Sequence, residues 1–278
     1  MPRRELVLAG DVGGTKTNVA LFSVQGEKLH AEKFQSFPSK RYAGLVQVLL
    51  EFLAGNAHSI DAACFGIAGP VIDDKVKTPN LPWLIDRSEL RRALKLDSLA
   101  LLNDLEAAAY GIFTLEDNEF CTLNQGEPRH SGNKALIAAG TGLGEAILRD
   151  DGHHFHPLAS EGGNADFAPR DDLEIELLRY LMGRFGHVSY ERALSGPGLF
   201  NIYGFLKEKR GFAEPKWLAE RLAAENDPSA VVSMAALADE AEICVKALDL
   251  FVSIYSAEAG NLALRAKALL GLYGGGGI

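Results

Sequence analysis

Ala135-Leu136-Ile137-Ala138-Ala139-Gly140-Thr141-Gly142-Leu143-Gly144-Glu145-Ala146-Ile147-Leu148 is the stretch whose reading decides the fold. Two apolar runs flank a Gly-Thr-Gly turn, the pattern of buried strands joined as a hairpin. Gly140-x-Gly142 resembles the opening of a dinucleotide fingerprint. Glu145 occupies the place of that motif's last glycine, and no helix follows, so the reading fails. The same pattern stands near the start of the chain. Glu5 to Gly10 reads as a short buried strand and Thr17 to Val24 as a second, joined by Gly10-Asp11-Val12-Gly13-Gly14-Thr15-Lys16. This segment nearly matches a Walker loop, but Thr15 stands where the second glycine belongs and strand follows instead of helix. Two readings stay open: a plain tight turn, or a turn whose amides and Thr15 hydroxyl cradle phosphate while Asp11 faces a metal. Two copies of one hairpin indicate a duplicated architecture, with two sheets facing each other across a cleft.

Between the copies, Leu99, Leu101 and Leu102 run into Asn103-Asp104, and an alanine-rich helical segment follows. A strand ending in Asn-Asp puts an amide and a carboxylate at the mouth of a sheet, where open α/β sheets bind ligands. A carboxylate there can accept a hydroxyl proton. Equally, Asn and Asp are preferred helix N-caps. Around this pair the spacing predicts a strand over Lys28–Phe37, a helix over Arg41–Ala54 and a strand over Ala62–Ala68. Thr78-Pro79-Asn80-Leu81-Pro82-Trp83 is an extended loop, either a connector or a substrate-facing wall. Asp86 with Glu89 three residues on resembles a capping box, with Asp in place of the usual Ser or Thr, and starts a helix to about Leu94. Asp117–Asn133 is a polar connecting region.

Beyond the second hairpin, His153, His154 and His156 alternate along an apparent strand, read as surface histidines because zinc spacing is absent. Ser160-Glu161-Gly162-Gly163-Asn164 reads as a flexible loop whose carboxylate is either solvated or placed to receive two sugar hydroxyls. From Asp171 the chain is mainly helical, and it closes on Leu269–Leu272 as a strand running into four glycines.

The net charge of −9, from 28 basic against 37 acidic residues, argues against a nucleic-acid surface. Three scattered cysteines form neither a disulfide framework nor a metal site. Arg3-Arg4 before Leu6-Val7-Leu8-Ala9 is faintly like a signal peptide, but Asp11 breaks the apolar run. No membrane partner is expected, and a soluble, cytoplasmic protein of two domains is.

Taken together, Gly10-Asp11-Val12-Gly13-Gly14-Thr15, Leu102-Asn103-Asp104, Gly140-Thr141-Gly142-Leu143-Gly144, Glu161-Gly162-Gly163 and Glu191-Arg192-Ala193-Leu194-Ser195-Gly196-Pro197-Gly198 resemble the bacterial glucokinases. These are ATP-dependent hexokinases of the sugar-kinase (ROK-type) branch of the hexokinase, heat-shock-70 and actin superfamily. The resemblance covers essentially the whole chain, with the motifs in family order. It implies an α/β fold of two ribonuclease-H-like domains, each a mixed central sheet with flanking helices, around a cleft. Their expected bounds are 1–109 for a smaller N-terminal domain and 110–278 for a larger C-terminal one that lacks the family's final helices.

The implied activity is ATP-dependent phosphorylation of glucose at its 6-hydroxyl. Asp104 looks like the general base; Asn103, Asp104, Glu161, Asn164 and Glu191 stand at the sugar-binding positions. Gly10, Asp11, Gly13, Gly14, Thr15, Gly140, Thr141 and Gly142 stand at the ATP-binding positions, with Asp11 the Mg²⁺-associated carboxylate. A homodimer is implied by the resemblance alone. Asn164 departs from the histidine that many of these enzymes carry in the Glu-Gly-Gly-His run. That departure keeps open a kinase for another hexose or amino sugar. A non-catalytic sugar-binding sensor is the alternative from outside catalysis, and the retained Asp104 argues against it.

Overall fold

The computed structural model describes residues 5–26, 28–55, 59–78, 80–127 and 129–278, so Arg3-Arg4, Pro79 and Pro128 lie outside it. The chain divides into two compact units, Met1–Phe120 and Cys121–Ile278. The sequence-based boundary at 109/110 falls instead inside a helix of the first unit.

In the first unit, β1 (Glu5–Val12), β2 (Lys16–Gln25) and β3 (Lys28–Pro38) form an antiparallel meander. Along β2 the residues Thr17, Val19, Leu21 and Ser23 are buried in strict alternation, the signature of a strand with one face on a core. On the other side of β1 lie β4 (Ala62–Ile67) and β7 (Ser98–Asn103), both parallel to their neighbours, giving the order β3-β2-β1-β4-β7. Between β4 and β7, β5 (Lys75–Lys77) and β6 (Leu84–Asp86) make a small separate hairpin. Helix α1 (Leu45–Leu53) buries Leu45, Val48, Leu49 and Phe52, spaced to line one helical face. It begins later than the sequence indicates, because Gly44 is extended and 39–41 form a 3₁₀ turn. Asp86 caps α2 (Arg87–Leu94) by accepting the Ser88 amide, and Asn103 caps α3 (Asp104–Gly111).

The second unit repeats the plan. A meander of β8 (Lys134–Ala139), β9 (Leu143–Asp150) and β10 (Phe155–Ser160) is extended by β11 (Leu272–Gly276), parallel to β8, in the order β10-β9-β8-β11. Both sheets are therefore mixed: an antiparallel meander plus parallel strands beyond its first member. His153 and His154 precede β10 and are not part of it; their amides bind Asp151 Oδ1 in the β9–β10 turn. Five helices follow: α4 (Asp172–Phe185), α5 (Gly196–Lys209), α6 (Lys216–Ala224), α7 (Pro228–Leu237) and α8 (Glu242–Ala266). Along α8, Ile243, Ala247, Leu250, Phe251 and Ile254 are buried, continuous with a core that includes Leu199, Ile202 and Phe205 of α5. Among the described residues no helix is long and apolar enough to cross a membrane.

Candidate active site

In the first unit, the Gly13–Thr15 turn between β1 and β2 is closed by Gly13 N–H donating to Lys16 O at 3.0 Å. It is propped from outside by Ser39, whose hydroxyl donates to Gly13 O at 2.8 Å and whose amide donates to Thr15 O at 3.1 Å. Thr17 Oγ1, fully buried, lies 2.9 Å from the same hydroxyl. Gly14 has no room for a side chain: a Cβ there would stand 2.7 Å from Asn80 Cβ. The Thr78–Trp83 loop thus lies against the turn at Asn80. Its large aromatic does not face a ligand, however. Trp83 is 2% exposed, packed in the core with its indole N–H donating to Tyr42 O at 3.1 Å. Asp11 is exposed at the end of β1, with Asn18 Nδ2 donating to its Oδ2 at 3.2 Å.

Parallel pairing brings Asp11 level with Gly66 of β4, and Gly66 level with Leu102 of β7. Asp11 and Asn103-Asp104 therefore share the carboxyl-end mouth of three parallel strands, the place where such sheets bind ligands. Gly66 lets α3 settle there, since a Cβ on it would stand 2.7 Å from Ala107 Cβ. Asn103 is buried, and its Oδ1 accepts the Glu106 amide at 2.5 Å. The cap and the ligand readings are compatible: the cap uses Oδ1 and fixes the side chain, leaving the amide nitrogen to present to a hydroxyl. Asp104 is the first residue of α3, with Oδ1 accepting the Leu105 amide at 2.9 Å. Although the residue is solvent-exposed, desolvation at the mouth raises its carboxyl above the ordinary range, opposed by two backbone amides and assisted by the charge of Asp11.

In the second unit, the Gly140–Gly142 turn joins β8 to β9, with Gly140 N–H donating to Gly142 O at 2.8 Å. The first amide of α5, on Gly196, donates to Gly140 O at 2.8 Å. Ser195 caps that helix, accepting from Gly198 N–H at 3.0 Å, while its hydroxyl donates to Glu191 O. Glu191 Oε2 accepts the Leu143 amide at 3.0 Å, and a Cβ at Gly142 would stand 2.5 Å from that oxygen. Glu191 is thus brought to the glycine turn. Glu161 begins a 3₁₀ turn over Gly162–Asn164. This turn is not a loose loop: Asn164 N–H donates to Glu161 O and Ala165 N–H to Gly162 O, each at 2.9 Å. A Cβ at Gly163 would stand 2.0 Å from Leu143 O, so the turn sits directly on the start of β9. Glu161 and Asn164 are exposed and joined, Asn164 Nδ2 donating to Glu161 Oε2 at 3.1 Å.

Each unit thus collects its own share of the residues singled out by sequence: Gly10, Asp11, Gly13, Gly14, Thr15, Asn103 and Asp104 in the first; Gly140, Thr141, Gly142, Glu161, Asn164 and Glu191 in the second. Ser39, Thr17, Asn18 and Gly66 support them and carry no motif; the pairing register reveals Gly66, and tertiary hydrogen bonds reveal the others. Among the described residues no group of three or more His, Cys, Asp or Glu side chains is placed to hold a metal ion. Magnesium in nucleotide sites takes one or two carboxylates and completes its shell with phosphate oxygens and water. The exposed Asp11 beside a glycine turn fits that donor set.

Comparison with known proteins agrees with this geometry. The family model described as Glucokinase matches residues 8–278. The chain is 38% identical to a glucokinase from Nostoc punctiforme over 287 residues, covering 98% of this chain and 84% of that protein. It is 37% identical to a glucokinase from Hahella chejuensis, covering 100% of this chain and 83% of the relative. Among solved structures, glucokinase from an Antarctic psychrotroph superposes with a TM-score of 0.84 at 31% identity, over 99% of this chain and 84% of that one. At 20% identity, a ROK family glucokinase from Streptomyces griseus, solved with glucose and AMPPNP, shares the fold with a TM-score of 0.62, over 98% of this chain and 83% of that one. With two glycine-turn hairpins, an Asn-Asp strand end and this extent of likeness, the chain belongs to the glucokinase family.

Proposed function

We propose that this protein transfers the γ-phosphoryl group of ATP to the 6-hydroxyl of glucose, with Asp104 as the general base. The observation that carries the reading is the Asp104 carboxyl at the mouth of the parallel strands, desolvated and oriented by the Leu105 amide. A carboxylate with a raised pKa is a stronger base once ionised, and phosphoryl transfer asks for little more than an oriented hydroxyl and neutralised phosphate charge. Asp104 accepts the 6-hydroxyl proton as that oxygen attacks phosphorus and ADP leaves. Asn103 presents its amide to a neighbouring sugar hydroxyl. Glu161, Asn164 and Glu191 accept or donate at the remaining hydroxyls, a polar set suited to a polyol.

At the two turns Gly10–Thr15 and Gly140–Gly142, the amides of Gly14, Thr15, Thr141 and Gly142, with the Thr15 and Thr141 hydroxyls, cradle the nucleotide phosphates. Asp11 would hold Mg²⁺, which supplies neutralisation of phosphate charge when bound. Asn164 keeps Glu161 in place through its amide, a role open to asparagine as well as histidine. Action in the cytoplasm as a homodimer belongs to the same reading and is checked by cell fractionation and analytical ultracentrifugation.

Asp104→Asn tests the assignment, because it removes the base and keeps the shape. Turnover should fall by about 10²- to 10⁴-fold while glucose binding by calorimetry persists. Near-normal turnover in that variant would remove Asp104 from the mechanism.

A further inference from the structure

Beneath the Glu161–Asn164 turn lie two buried carboxylates on one half-exposed arginine, a cluster that phosphoryl transfer does not use. Glu145, on β9, is 1% exposed and accepts from Arg265 Nη2 at 3.1 Å through Oε2. The same Arg265 nitrogen binds Glu258 Oε1, on α8, and Glu258 is fully buried. Asn261 donates to Glu258 Oε2 at 3.0 Å and to the Tyr190 hydroxyl at 3.3 Å. The charged and titratable groups facing Glu145 are therefore Glu258 and Arg265 from α8, with Tyr190 behind Glu258. Two carboxylates on one guanidinium leave a net negative charge in a desolvated interior, which is unfavourable. Moreover, Glu145 Oε1 is buried with no hydrogen-bond partner.

The turn forms the roof of this cluster. A Cβ at Gly162 would stand 2.2 Å from Glu145 Oε2 and 3.1 Å from Ser160 Oγ, so the backbone rests on the carboxyl. Gly162 N–H already donates to Ser160 Oγ at 3.0 Å.

We infer that Glu145 is a positioning residue for the sugar-binding turn: its protonated carboxyl holds Glu161–Asn164 in its sugar-receiving form, and ionisation releases it. The inference rests on the proposed role of Glu161 in binding sugar. With the proton present, Glu145 donates to Glu258 and Arg265 balances the one remaining charge. Without it, the unpartnered oxygen must recruit a donor. Oε2 of the same carboxyl lies against the Gly162 backbone, so re-orienting the carboxyl towards a donor, or admitting water beside it, shifts the turn that carries Glu161. Burial first, then the charge of Glu258, pushes Glu145 up to about 7 against the pull of Arg265, which sets the change near neutral pH.

The test is steady-state kinetics between about pH 6 and about pH 9 on the wild type and Glu145→Gln, a neutral near-isostere. In the wild type, the KM for glucose should rise by up to about tenfold per pH unit above neutrality while the KM for ATP stays flat. In the variant, the glucose KM should stay low and flat. A variant that follows the wild-type profile, or a wild-type glucose KM that ignores pH, overturns the inference and leaves the kinase reading intact. Absence of any glucose-dependent turnover overturns the kinase reading and this inference with it. Should Glu145→Gln not fold, amide exchange of Asn164 and Ala165 in the wild type supplies the readout. Protection lost above neutrality, beyond the intrinsic rise of exchange with pH, supports the switch; constant protection contradicts it.

Discussion

The two glycine turns stand on hairpins of the same plan, one in each unit, and are propped by opposite chemistry. At Gly13–Thr15 the props are neutral: the Ser39 hydroxyl and amide and the buried Thr17 hydroxyl hold the backbone, while the carboxylate at hand, Asp11, is left exposed. At Gly140–Gly142 the prop is itself a carboxylate, Glu191 on the Leu143 amide, joined by the first amide of α5 on Gly140 O. An exposed carboxylate beside a glycine turn is open to a cation, whereas a carboxylate tied to the turn links it to whatever else touches Glu191. Both units build the same kind of hairpin; the segments packed against each turn from elsewhere in the chain supply the difference in chemistry.

That contrast can be broken at each prop. The largest effect is expected at the free carboxylate: Asp11→Asn should lower kcat by about 10²-fold or more and alter the Mg²⁺ dependence, read by titrating Mg²⁺ at saturating ATP and glucose. An unchanged Mg²⁺ profile would make the two turns alike. At the tied carboxylate, Glu191→Ala leaves the Leu143 amide without its charged acceptor, a loss of about 1.5–3 kcal/mol. The KM for both ATP and glucose should rise by about tenfold or more. Gly142→Ala pushes against the same Glu191 oxygen, so the double variant should cost clearly less than the sum of the two single changes, a strong coupling in a double-mutant cycle. Smaller still, Ser39→Ala removes a neutral prop and should cost about 1 kcal/mol of stability by urea unfolding, with the Mg²⁺ dependence untouched.

The buried carboxyl under the second unit's turn adds a pH signature of its own, close to neutrality. Glu145 keeps its proton in the folded chain to about pH 7, against an ordinary value of 4.5. Between those two values the folded state binds more protons than the unfolded one, so stability falls as pH rises. The contribution is complete below the ordinary value and gone above about 7. Glu145→Gln should abolish this slope in a comparison of unfolding midpoints across the same window.

The parts that were legible in the sequence are those written in local pattern. Both hairpins, the Asn-Asp strand end and the Asp86 cap follow from apolar runs, glycine and a capping side chain. The β5–β6 hairpin was missed because its strands are three residues each, too short for alternation to register. Trp83 sits in a loop by sequence and in the core by structure, since an indole N–H can be satisfied by a distant carbonyl such as Tyr42 O. In the sequence Glu145 shows only as a missing glycine of a dinucleotide motif; its meaning depends on Glu258 and Arg265, more than a hundred residues later. The Glu161–Asn164 turn looks loose as Glu-Gly-Gly-Asn, yet its glycines exist to lie on β9 and on that carboxyl.

The most direct test of the account is ADP release by the purified protein with Mg-ATP, against glucose, mannose, fructose and glucosamine in parallel. The account predicts sugar-dependent ADP release with glucose as the preferred acceptor. ADP release that does not rise above the sugar-free background with glucose, or that rises only with another sugar, would contradict it.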